Sequence, residues 1–403
     1  MANNTFNNVA EITKSAMKVF ENQLAIAKYV NRQYDDQFKD DGAKQGDTAN
    51  IRLPGFYKLR QGKVAQPNGY NDAFVPVTLN QFGVDVQFST KELLLNVDDF
   101  EMNVLAPMIA PVANQVDSIL AALIPQFYQT AGTFATPPTD FQAFLDGAAT
   151  LDESAITRDG LWTAVMNPRT QAKVVGGMKG LLNPITDISR QYKEGTMEGM
   201  IGGMKWTMDQ NLPVQTCGPL GGSPTVKTAS VDGDTTLATQ AWTAAAAARL
   251  NVGDVFTVAN VYKVNPQSKQ ITNQLQNFVV TSAFSSDGSG NGSVSISPAI
   301  WSTGPLQNVN SLPQVSAALT ITGTANALSN INAVFHRDAL LLASADLPKP
   351  PGVECSRVKS KRLNMSMRLV KFYNGSQDDI LYRLDVLAGA ALLRGTAGVK
   401  VYG

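Results

Sequence analysis

The sequence predicts an α+β fold that carries an inserted all-β domain. Long amphipathic patterns near the start and in the first third predict helices, and alternating apolar patterns on either side of them predict strands. A block from Gly218 to Asn330 differs sharply in composition, with four basic and four acidic residues, about 7% charged against 16% for the 403-residue chain. Such a change indicates a unit inserted as a whole.

Residues 1–45 are predicted to form a helical arm. Apolar residues recur at steps of three and four from Val9 to Ala27, which favours one helix from Phe6 to Tyr34. An ordinary core helix gives the same pattern, but a terminal amphipathic arm is also suited to pack against a partner.

Residues 46–90 are predicted to form a long β-hairpin and the start of the next domain. Alternation through Val75, Val77 and Leu79 predicts one of its strands, and Pro67-Asn68-Gly69 suits a turn near its tip. The hairpin is basic, since no acidic residue occurs between Asp47 and Asp72. Its candidate contact residues are Arg52, Lys58, Arg60 and Lys63. A solvated hairpin is the plain interpretation, and docking on an acidic neighbouring subunit is the sharper one.

Two helices are predicted in residues 91–160. The first is expected to begin at Pro111, to carry an apolar stripe as far as Phe127 and to kink at Pro125. The second is expected to begin with a capping box formed by Thr139 and Gln142.

Residues 161–217 read as a βα unit and a further strand. Leu161–Met166 is a short apolar run typical of a buried strand, and Asn167 followed by Pro168 is a good helix start. Met204–Met208 predicts the next strand.

The low-charge block predicts a β-barrel or sandwich inserted at residues 218–332, with strands around Val255, Phe278 and Val294. In the last part, 333–403, Ala333–Ala345 predicts a helix or a strand followed by a helix. Two alternating segments joined by Asn374-Gly375-Ser376 predict a closing hairpin.

No catalytic, cofactor-binding or metal site is predicted. The chain has one His and two Cys, lacks a P-loop, and has a formal net charge of zero, which argues against bulk nucleic-acid binding. Asp232-Gly233-Asp234 has too few carboxylates for a calcium loop and is interpreted as a plain turn. Both aspartates are also candidates for contact with another subunit. We also expect no membrane-spanning segment.

Two other classes of function stay open on the residues alone. One is a carbohydrate- or lipid-active enzyme that uses isolated carboxylates of the β-insertion, with Asp232, Asp234, Asp254 and Asp287 as candidates. The other is a β-rich phage fibre or adhesin, which would leave the long helix and the αβ core unexplained.

The order of these parts resembles the major coat proteins of tailed phages with the Hong Kong 97-type fold, and more narrowly the short-tailed Salmonella podovirus type, which carries an inserted domain. Residues 1–45 resemble its N-terminal arm and 50–80 its E-loop. Asn103–Pro107 with the following helix resembles its spine helix, in a P-domain that starts within 46–90 and continues through 91–160. Segments 161–217 and 333–403 resemble its A-domain and closing P-domain strands, including Arg383–Gly389.

The resemblance implies a structural protein that self-assembles, as hexamers and pentamers, into the icosahedral capsid of a virion around packaged DNA. It further implies assembly in the host cytoplasm through a scaffold-assisted procapsid, a portal protein as partner, and only non-specific contact with DNA in the lumen. No cofactor and no membrane are expected.

Overall fold

A computed structural model describes residues 9–34, 48–53, 57, 63, 74–89, 105–177, 200–360 and 362–403. Its α-helices are α1 (Val9–Gln23), α2 (Ala106–Ala121), α3 (Gln142–Glu153) and α4 (Pro168–Gly177). The strands before the low-charge block are β1 (Asn31–Tyr34), β2 (Thr48–Arg52), β3 (Phe74–Thr78), β4 (Asn80–Ser89), β5 (Gln129–Ala131), β6 (Trp162–Met166), β7 (Met200–Ile201), β8 (Met204–Met208) and β9 (Val214–Thr216).

The strands within the block are β10 (Thr225–Val226), β11 (Asp234–Gln240), β12 (Ala247–Leu250), β13 (Val255–Val264), β14 (Ile271–Val280), β15 (Phe284–Ser286), β16 (Gly292–Ile300) and β17 (Leu319–Ile321). Those after it are β18 (Leu328–His336), β19 (Leu340–Ser344), β20 (Glu354–Lys359), β21 (Ser366–Asn374), β22 (Asp379–Leu392) and β23 (Gly398–Tyr402).

The chain divides into two compact units. One comprises residues 1–51, 74–121 and 340–391, and the other comprises residues 52–73, 122–339 and 392–403. The boundaries of the six predicted parts stay predictions. The boundary that the sequence places at residue 332 falls inside β18.

A six-stranded sheet organises the first unit in the order β1-β19-β22-β21-β20, with β4 also paired to β22. The predicted hairpin is present as β21 and β22, which pair from Met367–Val386 to Asn374–Asp379. The alternating apolar residues lie on one face: Phe88 pairs with Ile380, and Val84 pairs with Leu384. Since paired residues of an antiparallel sheet share a face, the period of two in the sequence fixes which side is apolar.

The arm helix is shorter than predicted. α1 ends at Gln23, and the chain then turns into β1, which pairs in parallel with β19. The two apolar residues of the predicted pattern that follow Gln23, Leu24 and Ala27, are buried in this turn and not on a helix. The helical interpretation of 24–34 was therefore wrong, because burial by a turn reproduces the helical spacing over so short a segment.

The long helix begins earlier than predicted. α2 starts at Ala106 and contains Pro111 in its interior, so the prediction of Pro111 as a first helical residue was wrong. Pro107 occupies the first turn instead, where a missing N–H costs little. The kink predicted at Pro125 is not within the helix: α2 already ends at Ala121, and Pro125 lies in a separate short 3-10 turn, Ile124–Gln126.

A seven-stranded sheet forms part of the second unit, in the order β5-β23-β18-β6-β8-β7, with β9 also paired to β18. The predicted helix start after β6 is confirmed, because the Asn167 Oδ1 accepts the Thr170 N–H at 2.6 Å. The Thr139 capping box was wrong: α3 starts at Gln142, and the Asp140 Oδ1 accepts the Gln142 N–H at 3.0 Å. A carboxylate two residues before the amide reaches it within a tight turn.

Residues 333–345 are strands and not a helix. β18 and β19 are joined by the 3-10 turn Arg337–Ala339, and every residue of β19 is buried. A continuous apolar run buried on both faces has no period that separates strand from helix, which is why the helical alternative was wrong.

The low-charge block forms a closed barrel. Its sheet runs β10-β11-β16-β14-β13-β17. The two ends are joined by backbone hydrogen bonds, from Val226 N to Ala317 O and from Leu319 N to Pro224 O, each 2.9 Å. Apolar side chains of the barrel fill its interior, among them Phe256, Phe278 and Val294. Closure leaves this sheet without open edges.

Among the described residues, one helical stretch, Ala106–Gln126, is long and apolar enough to cross a membrane by length and composition. Half of its most apolar window is buried inside the protein, and core helices of soluble proteins pass the same test, so this is weak evidence for a membrane span.

Candidate assembly surfaces and the barrel junction

The basic hairpin lies partly within the described residues. Arg52 ends β2, which pairs with β3, and both Arg52 and Lys63 are exposed. Tyr57, between them in sequence, is 64% exposed. Lys58 and Arg60 lie outside the described residues. Where the structure describes the hairpin, it therefore exposes the aromatic ring of Tyr57 and the cations of Arg52 and Lys63 to solvent.

Asp232 and Asp234 organise a turn at the start of β11. The Asp232 carboxylate accepts hydrogen bonds from Ser302 N at 2.6 Å and from the hydroxyl of Thr303 at 2.6 Å. These bonds lower the pKa of the Asp232 carboxyl, the Thr303 hydroxyl contributing most. Asp234 accepts the Val231 N–H at 2.7 Å. Both aspartates are partly exposed. Asp234 holds its own turn, and Asp232 ties this turn to the segment at Ser302 and Thr303.

The other two carboxylates of the enzyme alternative also accept hydrogen bonds from within the chain. Asp254 is buried and accepts the N–H groups of Asn251 and Gly218 at 2.8 and 2.9 Å. Burial is the largest influence on its pKa, which is raised. Asp287 accepts the N–H groups of Ser289 and Asn291, each at 2.8 Å. Hydrogen bonds within the chain therefore explain the presence of both carboxylates.

The barrel packs against the seven-stranded sheet of its own chain. Tyr128, just before β5, forms a buried cluster with Val255 of β13 and Val279 of β14. A second cluster joins Phe134 and Tyr402, whose rings are 4.9 Å apart, to Cys217 at the entry to the barrel. Burial raises the pKa of the Cys217 thiol to about 12, so this thiol stays protonated.

Lys400 lies in the middle of this junction. It is on β23, is fully buried, and its Nζ donates hydrogen bonds to Gly253 O at 2.7 Å and to Pro125 O at 3.1 Å. Gly253 lies in the turn before β13 of the barrel, and Pro125 lies in the 3-10 turn after α2. Burial lowers the pKa of Lys400 to about 7, although the nearby Asp254 opposes the shift.

A second buried lysine joins the barrel to α3. The Lys263 Nζ, on β13, donates to Thr150 O at 3.3 Å and lies 4.0 Å from a Glu153 carboxylate oxygen. Burial lowers the pKa of Lys263 to about 8, with Glu153 opposing. Asn265 donates to Glu153 O at 3.1 Å at the same contact.

Neither lysine was recognised as a candidate from the sequence. Lys400 stands between Val399 and Val401, and Lys263 between Tyr262 and Val264. A cation that alternates with apolar residues is the usual signature of a strand with one side in water. The alternation therefore points to exposure, and no other signal in the sequence opposes it.

The model of one protein family, described as "P22 coat protein - gene protein 5", matches residues 1–403. The comparison with curated proteins gives no match. Among solved structures, the chain is similar to that of Mycobacterium phage Che8, with 10% identity, a TM-score of 0.46, and 95% of this chain and 90% of that chain covered. Its similarity to the capsid of cyanophage P-SCSP1u has 10% identity, a TM-score of 0.44, and coverages of 93% and 86%.

A shorter similarity concerns the coat protein I-domain of CUS-3. It covers 25% of this chain and 94% of that one, with 29% identity and a TM-score of 0.19.

The family match defines the class of protein: a phage capsid protein with the Hong Kong 97-type α+β fold and a β-rich insertion. The chain belongs to the P22 coat protein family. It is the major capsid protein, whose copies build the icosahedral shell of the virion, and its role is structural. The predicted fold class, family and function are thereby confirmed.

Proposed function

We propose that the basic hairpin at 46–90 contacts a neighbouring subunit in the shell. The observation that carries this proposal is that the segment from Thr48 to Asn71 contains basic residues and no acidic one. Two of these bases, Arg52 and Lys63, lie within the described residues, and both are exposed. An exposed ion pair contributes little in water. Bases concentrated on one extended element instead favour recognition of an acidic surface and fix the register of the contact.

Charge reversal tests this proposal. The double variant Lys58→Glu and Arg60→Glu is expected to abolish or misdirect shell assembly, because it replaces attraction by repulsion at every copy of the contact. Shells would be scored by electron microscopy and by sedimentation of the expressed protein. Circular dichroism of the unassembled chain would establish that the variant folds.

A matched control reverses two exposed bases elsewhere. Arg169 and Lys173 are both exposed and four residues apart on α4. Their double reversal changes the net charge equally and is expected to leave uniform shells. Normal shells from the hairpin variant would refute the proposed contact.

Asp232 and Asp234 are proposed as a second contact between subunits. Both are partly exposed on a turn that their own hydrogen bonds hold in shape. A rigid acidic turn loses little conformational freedom when it meets a basic partner.

The remaining proposed partners are those that the assembly requires. We propose a scaffolding protein that guides a procapsid in the host cytoplasm, a portal protein at one site of the shell, and packaged DNA that touches the lumen without sequence preference. The net charge of zero supports the last point, since strong counterion-driven binding to DNA needs a basic excess.

A further inference from the structure

The turn that carries Gly253 is fitted closely to Pro125. A Cβ added at Gly253 would lie 3.2 Å from the Pro125 Cβ, and the backbone φ of Gly253 is +91°. The Gly253 N–H is bonded within the barrel, to Val280 O at 2.9 Å, while its carbonyl accepts from Lys400. The turn therefore belongs to the barrel on one side and to the junction on the other.

The number of hydrogen-bond acceptors around the Lys400 side chain matches the two donors of a neutral amine. A neutral amine has two N–H donors and an ammonium has three. The described residues offer Lys400 two acceptors, the carbonyls of Gly253 and Pro125. Protonation would therefore add a third N–H and a full charge at a buried position. Asp254 and the Tyr402 ring, whose centre is 5.8 Å from the Nζ, favour that charge, but burial has the larger effect.

The two tyrosines and the thiol buried at this junction do not titrate in place of Lys400 near neutral pH. Tyr402 on its own strand has its pKa raised by burial, with Asp254 and Cys217 adding to the effect. Tyr128, from the segment before β5, has its pKa raised by burial as well. The Cys217 thiol, with a pKa of about 12, is uncharged too. On the barrel side, burial raises the pKa of the Asp254 carboxyl, and Asp254 in turn opposes the lowering of the Lys400 pKa.

We propose that Lys400 makes the attachment of the barrel sensitive to pH. As a neutral amine on β23 it joins the turn before β13 of the barrel to the 3-10 turn after α2, and its protonation weakens this attachment without unfolding the barrel. The sign follows from linkage. The docked pKa, about 7, is below the ordinary value of about 10.4, so the open state binds more protons between these values. Docking therefore weakens as pH falls from about 10 to about 7 and changes little below 7.

The experiment is hydrogen exchange of the full, unassembled chain at pH 7 and pH 9, corrected for intrinsic exchange rates. The opening constant of peptides that cover 122–131 and 250–256 is expected to be larger at pH 7. If Lys400 regains an ordinary pKa on opening, its contribution between the two pH values is about 50-fold. Peptides in the barrel interior around Phe278 serve as the internal reference and are expected not to follow this change.

Two variants isolate the lysine. Lys400→Met should remove the roughly 50-fold change in the opening constant between pH 7 and pH 9. If the whole barrel detaches from the sheet and from α3 as one body, Lys263 accounts for any pH dependence that remains, up to about tenfold. Lys227→Met, which removes an exposed lysine of the same block, should keep the wild-type dependence. The proposal is overturned if wild type shows no pH dependence at the junction, a measurement that needs no variant, or if Lys400→Met retains the full dependence.

Discussion

Asp117 is expected to be the residue that holds the turn after the arm helix. It is on α2, is 3% exposed, and its two carboxylate oxygens accept the N–H groups of Ala25 at 2.6 Å and of Ala27 at 2.9 Å. Hydrogen bonds to a charged group contribute about 1.5–3 kcal/mol each, and a buried amide without an acceptor costs about 1–3 kcal/mol. Asp117→Ala should therefore destabilise the docked turn by about 3–5 kcal/mol.

Native-state hydrogen exchange at the amides of Ala25 and Ala27 measures this cost directly. Asp117→Asn keeps one acceptor oxygen, so it should lose roughly half as much. Asp146→Ala removes an exposed aspartate from α3 and should change the same amides by less than about 0.5 kcal/mol. A loss below about 1 kcal/mol in Asp117→Ala, or equal losses in the Ala and Asn variants, would show that this carboxylate does not hold the turn.

Two further changes probe packing and charge. Gly398→Ala should cost about 1–3 kcal/mol by overpacking, since its Cβ would lie 2.5 Å from the Phe127 ring. The denaturation midpoint checks this, with Gly176→Ala, which meets nothing within 4 Å, as control. Burial alone would raise the pKa of Asp385, but hydrogen bonds from Arg368, Gln81 and Arg383 outweigh it and lower that pKa. The stabilisation by ionised Asp385 is present above about pH 3.9 and is lost as pH falls through the lower folded pKa. Asp385→Asn should therefore make the stability of the protein depend less on pH between about pH 5 and 2, as followed by circular dichroism. A pH profile equal to that of the wild type would contradict the stabilising role of Asp385.

Local patterns in the sequence were enough to predict the elements in which buried residues recur at a regular period. β21 with β22, the helix start at Asn167 and the inserted barrel all follow from alternation, capping residues or composition. The end of α1 could not be predicted in the same way, because the turn after it depends on Asp117, which is 90 residues from Ala27 in sequence. Local propensity carries no information about an acceptor so distant.

The same reason explains why the barrel junction was missed. Lys400 is bonded to carbonyls that lie 147 and 275 residues away along the chain. Its strand pattern is that of a half-exposed lysine, and only the closed fold reveals that both sides of β23 are covered. The proposed contacts of Arg52, Lys63, Asp232 and Asp234 with other subunits are a further step removed, since neither the sequence nor the fold of one chain contains the neighbouring copy.

The low charge of the barrel has a physical explanation in how its few charges are used. Side chains of both signs make hydrogen bonds within the chain, and the basic ones donate to backbone carbonyls, as Arg249 does to Leu220 O at 2.9 Å and Lys269 to Pro305 O at 2.8 Å. The carboxylates likewise accept from backbone amides, either in their own turn or in a segment that is distant in the sequence. Apart from the exposed Lys227, the charges of the block therefore hold parts of the chain together, and the rest of the barrel surface is neutral and polar. Because self-repulsion rises with net charge, a surface of this kind lets many identical copies approach one another closely, which is what a shell built from one repeated chain demands.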